Sequence, residues 1–224
     1  MVGDVPIIGG SRDWIGEGGR AAWARDVVEE TGCSSTADVD LVRAARAGSR
    51  QAFDRLVARH AANVVRTAYV IVGDPDDAND VAQDAFISAY RGLDGYQPTA
   101  PFGAWLHRIA VNRSYDYLRR RQRRDALMEE IVAVSPGAEE DAAVRDARRD
   151  DERAAVRALL EELDPKGRAV VALRFLQDMS IKEVAATLDV PEGTVKRRLH
   201  DALKRMRARL TAADVTGEAA GGLT

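Results

Sequence analysis

The sequence lacks most of the features that mark disulfide-bonded, metal-bound or membrane-embedded proteins. Its 224 residues include one cysteine, so no intramolecular disulfide can form, and no Cys/His spacing resembles a zinc site. No apolar run approaches the roughly 20 residues of a membrane span, and the first residues lack the basic start and apolar stretch of a signal peptide. We therefore expect a cytoplasmic protein without membrane insertion, metal, cofactor or catalytic residues.

Aromatic residues are also scarce, at 5%, whereas charged residues reach 31%. This composition suits helices with solvated outer faces, and the chain is long enough for two small domains. The net charge of -3 argues against a nucleic-acid partner when it is taken alone. Acidic and basic residues are concentrated in different segments of the chain, however. The basic segments can therefore bind nucleic acid although the net charge is negative.

Apolar spacing and helix-breaking residues predict an all-α chain of two small helical domains joined by a flexible acidic linker. Ten acidic residues and four arginines occupy the linker, which also carries a Ser-Pro-Gly turn. Glycine enrichment predicts a flexible N-terminal extension, with an isolated helix over Arg20 to Glu30. The predicted segments are the extension 1–37, the first domain 38–124, the linker 125–153, the second domain 154–210 and a disordered tail 211–224.

The second domain contains the most specific local pattern, SIKEVAATLDVPEGTVKRRLHDALKRMRARL. Ser180 and Glu183 form a capping box that begins a short scaffold helix, and Pro191 lies near the start of the next helix. Val195 and Leu199 place the apolar face of that helix inward. The pattern predicts a helix-turn-helix, whose second helix presents basic residues to the major groove of duplex DNA.

The first domain contains an acidic helix and a basic helix. Asp74-Pro75 begins the acidic helix, on which Asp77, Asp80 and Asp84 share one flank. The basic helix lies in FGAWLHRIAVNRSYDYLRRRQRR and interleaves aromatic residues with seven arginines, a combination that suits single-stranded DNA. Its aromatic residues fit a core at least as well as a DNA contact.

These segments together resemble RNA polymerase sigma factors of the extracytoplasmic-function group, the group within the sigma-70 family that has only regions 2 and 4. DPDDANDVAQDAFISAYR resembles region 2.2, and the basic helix resembles regions 2.3 and 2.4. The helix-turn-helix resembles region 4. The resemblance covers about Asp38 to Leu210.

The resemblance implies promoter-specific transcription initiation, in a stress or envelope response, with core RNA polymerase and promoter DNA as partners. The acidic helix would contact the beta-prime clamp helices, and region 4 would contact the beta flap. Region 2 would open and read the minus-ten element as melted DNA, and region 4 would read the minus-thirty-five element as duplex. An anti-sigma factor is a further implied partner, and the acidic linker would thread through polymerase channels.

Residue by residue, the resemblance assigns three sets of contacts. Those expected to bind core polymerase are Asp77, Asp80, Val81, Gln83, Asp84 and Phe86. Those expected to bind the minus-ten element are Trp105, Arg108, Asn112, Arg113, Asp116, Arg119 and Arg120, assisted by a loop from Leu93 to Pro101. Those expected to bind the minus-thirty-five element are Thr194, Lys196, Arg197, Arg198, His200, Asp201 and Lys204.

Asp201 departs from the family pattern, which often has a basic residue at this position. Its carboxylate could accept a hydrogen bond from a cytosine amino group or could simply repel phosphate. Two other functions stay open at this point. One is a helix-turn-helix repressor or response regulator, and the other is a magnesium-dependent diphosphate enzyme that would use the Asp-Asp-x-x-Asp pattern at Asp76 to Asp80.

Overall fold

The computed structural model describes residues 35–132 and 157–220, in which all regular structure is helical. The all-α prediction is confirmed. The first group of helices comprises α1 (Ser35–Arg46), α2 (Arg50–Val72), α3 (Pro75–Gly92), a 3-10 turn (Leu93–Gly95) and α4 (Phe102–Val132). The second group comprises a helical turn at 157–161, α5 (Pro165–Val171) with a π-helical turn (Ala172–Leu176), α6 (Ile181–Leu188) and α7 (Glu192–Ala220).

Two glycines with positive φ end the first two helices. Gly48 follows α1 at φ 93°, and Gly73 follows α2 at φ 90°, where its N–H donates to the Tyr69 carbonyl at 2.8 Å. A left-handed residue at this position satisfies a carbonyl that the helix leaves unpaired, and glycine adopts the conformation without steric cost. Asp74 then caps α3 by accepting from two backbone N–H groups. The sequence predicted this cap correctly.

The first core lies between α2, α3 and α4. Leu56, Phe86 and Leu106 are at most 2% exposed there, and α1 covers one end of the cluster. A buried carboxylate fastens α1 to α2, because Asp38 forms a hydrogen bond with His60 Nε2 at 2.9 Å and pairs with Arg59. Burial alone would raise the pKa of Asp38, but contacts with His60 and then Arg59 hold it below its ordinary value.

The second core lies between α5, α6 and α7 and includes Leu173, Val184 and Val195, each fully buried. Two residues of the first group belong to the same cluster: Ile71 at the end of α2, 0% exposed, and Val111 of α4, 1% exposed. The two groups of helices therefore pack against each other within one compact unit, Cys33–Thr224. Nothing in the sequence predicted this packing.

Three predicted boundaries differ from the structure. Helix α4 continues to Val132, eight residues into the predicted linker, and α7 continues to Ala220 through the predicted disordered tail. Both extensions contain alanine and glutamate, which are good helix formers, and neither contains proline. Helix α1 begins at Ser35, within the predicted N-terminal extension. The predicted Arg20 to Glu30 helix and the linker residues 133–156 lie outside the described residues.

Candidate nucleic-acid interface

The helix-turn-helix has the predicted caps. The Ser180 hydroxyl accepts from the Glu183 N–H at 3.2 Å, and the Glu183 carboxylate accepts from the Ser180 N–H at 2.8 Å. Hydrogen bonding of the Glu183 carboxylate to the Ser180 side chain and then to the Ser180 backbone N–H holds the pKa of Glu183 below its ordinary value. Asp189 ends α6 in the left-handed conformation, φ 55° and ψ 50°, and turns the chain toward α7.

Helix α7 separates an apolar inner face from a basic outer face. Val195 and Ala202 are buried at 0% and 2% exposure and anchor the helix on the second core. Most of the predicted minus-thirty-five contacts are exposed, namely Lys196, Arg197, His200, Asp201 and Lys204. These side chains follow one another at spacings of one, three and four, so the fold presents them on one face.

Two predicted contacts of α7 lie at the edge of that face. Thr194 is half-buried in the first turn, where its N–H donates to the Pro191 carbonyl at 2.9 Å. Arg198 is half-buried and acts on Tyr115 of α4, whose pKa burial raises to about 12 against the opposing charge of Arg198. The DNA contact of Arg198 stays a prediction.

Helix α4 presents a second exposed stripe. Arg108, Asn112, Arg119 and Arg120 are exposed, and Arg113 and Asp116 beside them are half-buried. Trp105 continues the stripe but packs against the first core, with its ring 5.2 Å from that of Tyr96 and 5.6 Å from that of Phe102. The predicted minus-ten contacts thus share one side of α4, and Trp105 forms its inner edge.

Acidic side chains pair with several of these arginines. Asp116 contacts Arg119 and, at 3.8 Å, Arg113. Arg108 meets Asp189 of the helix-turn-helix turn at 3.1 Å. Each pair is largely exposed, so it contributes at most about 1 kcal/mol and can exchange for a phosphate contact.

Arg46 has a role that the sequence did not predict. From the end of α1 it donates to the carbonyls of Leu93 at 2.9 Å and Asp94 at 3.0 Å, and also to that of Tyr96. The Tyr96 hydroxyl in turn donates to the Ala100 carbonyl at 2.7 Å. Arg46 therefore holds the loop from Leu93 to Pro101, which was predicted to assist the minus-ten contacts. Because it lies about 50 residues from that loop in sequence, no local pattern could have identified it.

The acidic flank of α3 is accessible. Asp80, Gln83 and Asp84 are exposed, and Asp77 is half-buried. Asp77 pairs with Arg121 at 3.4 Å, and Asp84 lies 4.0 Å from Arg120.

Two residues of the predicted polymerase-binding set require correction. Val81 and Phe86 are each 2% exposed, because they pack into the core between α3 and its neighbours. Their side chains have no surface to offer a partner, so the accessible part of the set is acidic and polar.

Two features are absent from residues 35–132 and 157–220, a cluster of metal ligands and a membrane-spanning helix. No group of three or more His, Cys, Asp or Glu side chains is placed to hold a metal ion there, the Asp76 to Asp80 pattern included. In the same residues, no helix combines the length and apolar character that crossing a membrane would require.

A helix-turn-helix and a second basic helix, fastened to one another by a shared core, define a DNA-binding protein. Two family models match this chain, Sigma-70 region 2 over residues 56–124 and Sigma-70, region 4 over residues 153–206. Both matches fall on the helices that carry the predicted contacts.

Similar proteins of known type agree with this match. The ECF RNA polymerase sigma factor SigM of Mycobacterium tuberculosis is 38% identical over 173 residues, covering 77% of this chain and 82% of that protein. SigE of Mycolicibacterium smegmatis is 38% identical over 160 residues, covering 69% of this chain and 60% of SigE. The structure of CnrH in complex with the cytosolic domain of CnrY has 32% identity and a TM-score of 0.60, covering 79% of this chain and 98% of CnrH.

The chain belongs to the extracytoplasmic-function group of RNA polymerase sigma factors. The sigma-70 resemblance stated from the sequence is confirmed. Neither a repressor without polymerase specificity nor a magnesium-dependent diphosphate enzyme is favoured by these matches.

Proposed function

We propose that this sigma factor contacts its promoter through two surfaces, the exposed face of α7 on the minus-thirty-five element and the exposed stripe of α4 on the minus-ten element. The observation that supports this proposal is the presence of two outward basic faces, one on α7, which packs on the second core, and one on α4, which packs on both cores. Lys196, Arg197 and His200 lie near the start of α7, where a recognition helix reaches base edges. Asn112, Arg119 and Arg120 would contact the melted strand.

Core polymerase would bind the acidic flank of α3. Asp80, Gln83 and Asp84 are exposed on successive turns and would meet basic side chains of the beta-prime clamp helices. Opposite charges on two partners steer their encounter and fix their register. The second group of helices would rest on the beta flap.

Regulation by an anti-sigma factor is part of the proposal. CnrH, which is 32% identical to this chain, was solved in complex with the cytosolic domain of CnrY. A partner of that kind would cover the polymerase-binding surfaces in the cytoplasm until a stress or envelope signal releases them. The sigma factor itself would carry out no covalent chemistry and need no cofactor.

A promoter-dependent transcription assay tests the proposed function. The purified chain is added to core polymerase with fragments of genomic DNA, and transcript starts are mapped. We expect starts that require the chain and share sequences near minus ten and minus thirty-five. Absence of chain-dependent starts on every fragment would overturn the proposal.

A pair of variants tests the polymerase-binding flank. Asp80→Ala with Asp84→Ala should weaken binding to core polymerase, because it removes two exposed charges of the α3 flank. Asp54→Ala, an exposed acid of α2 outside every proposed surface, is the matched control and should bind normally. Equal binding by both proteins would remove this flank from the interface.

A further inference from the structure

The loop from Leu93 to Pro101 leads directly into the helix proposed to contact the minus-ten element. Its first three residues form the 3-10 turn that follows α3, and its last residue accepts from the Trp105 N–H of α4 at 3.2 Å. Residues 97–100 are exposed between these two attachments. The shape of the loop therefore decides which groups lie beside the α4 stripe.

Three backbone carbonyls of this loop share one cationic partner at the end of α1. Arg46 donates from Nε to the Leu93 carbonyl at 2.9 Å, and from Nη2 to the carbonyls of Asp94, at 3.0 Å, and Tyr96. The last carbonyls of a helix lack partners within the helix and lie at the negative end of its dipole. Arg46 therefore caps the end of α3 from another helix. Because a guanidinium holds its N–H groups in a fixed fork, the three carbonyls must keep one arrangement.

The Tyr96 side chain connects this arrangement to the α4 stripe. The central carbon of the Arg46 guanidinium lies 5.9 Å from the centroid of the Tyr96 ring, and the Tyr96 hydroxyl donates to the Ala100 carbonyl at 2.7 Å. The same ring is 5.2 Å from that of Trp105, which forms the inner edge of the stripe. Tyr96 therefore links Arg46, the exposed part of the loop and α4.

The first turn of α1 holds the other end of the loop. Asp38 is 2% exposed and forms a hydrogen bond with His60 Nε2 at 2.9 Å. The His60 ring lies 5.5 Å from that of Phe102, the first residue of α4. Helix α1 thus fixes the loop at both ends. Arg46 is exposed, so replacing it removes one attachment without opening a core.

We propose that Arg46 is a positioning residue for minus-ten recognition, because it holds the loop in the shape that discriminates a base of the melted strand. This inference rests on the proposed function. Without Arg46, the three carbonyls would turn to water and the loop would have to be ordered when DNA binds. Ordering a segment during binding reduces affinity, and a loop that is not held in one shape discriminates bases less well. Arg46 itself would not contact the bases.

Binding of single-stranded DNA by the holoenzyme tests this role. Core polymerase with the unsubstituted chain first selects promoters from genomic fragments. The non-template strand of a selected minus-ten element is then made as a labelled oligonucleotide, together with versions that are each changed at one base. Arg46→Ala should weaken binding of the selected strand roughly tenfold and should abolish the penalty for a changed base at one or two positions. Arg46→Lys keeps the charge but not the fork, so its loss should be intermediate.

Arg43→Ala is the matched control for these variants. Arg43 is an exposed arginine of the same helix, paired with Asp40 at 2.9 Å. Its loss should leave the binding of every strand unchanged. Arg46→Ala should also leave the affinities for core polymerase and for the duplex upstream element unchanged, whereas a general loss of folding would lower both.

Two results would overturn the positioning role. One is equal base penalties in the Arg46→Ala and Arg43→Ala holoenzymes. The other is an equal loss for every strand, with a slope of log affinity against log salt that is shallower by about 0.7, because Arg46 would then contact phosphate directly. If the unsubstituted chain selected no promoter, the proposed function would be overturned, and the positioning role with it.

A second variant decides the matter if Arg46→Ala proves unstable to heat. Tyr96→Phe removes the hydrogen bond to the Ala100 carbonyl, which water can replace because Ala100 is exposed, and leaves the ring in place. It should reduce base discrimination roughly threefold, at the same positions as Arg46→Lys. Unchanged base penalties in both the Tyr96→Phe and the Arg46→Lys holoenzymes would overturn the proposal.

Discussion

The two basic helices of this sigma factor, α4 and α7, differ in how the fold holds them. Helix α7 is buried on one side, by Val195 and Ala202, and presents the opposite face to solvent. Helix α4 is buried on two sides, by the first core at Leu106 and by the second group of helices at Val111. The position of α4 therefore depends on both cores, whereas α7 needs only its own scaffold.

The two helices also differ in how their basic side chains are paired with acids. Along α4, Arg108, Arg120 and Arg121 each lie within 4.0 Å of an acid on another helix or on the turn after α6. On the outer face of α7, the described ion pair is between Lys196 and Glu192 of the same helix, at 3.9 Å. In the proposed complex, the cations of α7 would meet phosphate directly, whereas those of α4 would first exchange acidic neighbours for DNA.

The largest expected effect on stability comes from truncating a large buried side chain in either core. Leu106→Ala or Leu173→Ala removes a side chain that is 0% exposed and should lower the free energy of unfolding by about 2–5 kcal/mol. Because the two cores meet at Ile71 and Val111, each variant should shift a single cooperative thermal transition, followed by calorimetry.

The matched control for both core variants is Leu210→Ala, because Leu210 is 50% exposed. Its transition should stay close to that of the unsubstituted chain. Two separate thermal transitions, of which each variant shifts only one, would mean that the two cores unfold independently. The position of α4 would then not depend on both cores.

A buried histidine of α4 gives the next largest effect. Burial, and then the nearby charge of His60, lowers the pKa of His107 from 6.5 to about 4, against a hydrogen bond with Gln177 that raises it. The unfolded chain therefore binds this proton more readily than the folded chain between those pH values. The free energy of unfolding should fall as pH drops below about 6.5, by on the order of 2 kcal/mol at pH 5.

Denaturant unfolding at pH 7.5 and pH 5 measures this loss. His107→Gln should flatten it, whereas His200→Gln, on the exposed face of α7, should leave it in place. Equal pH dependence in the unsubstituted protein and the His107→Gln variant would mean that another group is responsible.

The sequence predicted the local elements better than their assembly. The capping box at Ser180, the proline start of α3 and the outward face of α7 follow from residues within one or two turns of each other. The junction at Ile71 and Val111 joins segments that are far apart in sequence, and each of these residues also fits an ordinary helix face. No periodicity distinguishes a residue that is buried by its own domain from one buried by another.

The same limitation explains the errors in the predicted site. Val81 and Phe86 occupy the helix that carries the acidic flank, and family resemblance assigned both to polymerase binding together with four polar residues of that flank. The structure turns both side chains into the core. The roles of the exposed residues on this flank stay predictions.

A pair of substitutions on α7 tests whether the basic side chains of its outer face contact DNA. Arg197→Ala with Lys204→Ala should reduce affinity for a duplex that carries the upstream element, by roughly tenfold to a hundredfold at moderate salt. If both side chains contact phosphate, the slope of log affinity against log salt should become shallower by about 1.8. Fluorescence anisotropy across a salt series measures both quantities.

Arg209→Ala is the matched control for this pair. Arg209 lies toward the end of the described side chains of α7 and is 3.6 Å from Glu162. Its loss should change neither the affinity nor the salt slope appreciably. If Arg119→Ala with Arg120→Ala on α4 weakened binding to this duplex equally, the proposed assignment of α7 to the upstream element and of α4 to the minus-ten element would be wrong.

The smallest effect is expected at Asp201, the acidic residue within the basic face of α7. The residue is exposed, so water screens its charge, and removing simple repulsion of phosphate should raise affinity only a few-fold for every promoter sequence. A carboxylate that accepts from a cytosine amino group would act differently, because Asp201→Ala would then weaken binding only where that base is present. Measuring the variant against a set of upstream elements, each changed at one base pair, separates the two results. A gain in affinity for every upstream element would mean that Asp201 only repels phosphate. A loss of affinity confined to one base-pair position would mean that Asp201 determines specificity there. Identical profiles for the variant and the unsubstituted chain would remove Asp201 from the interface.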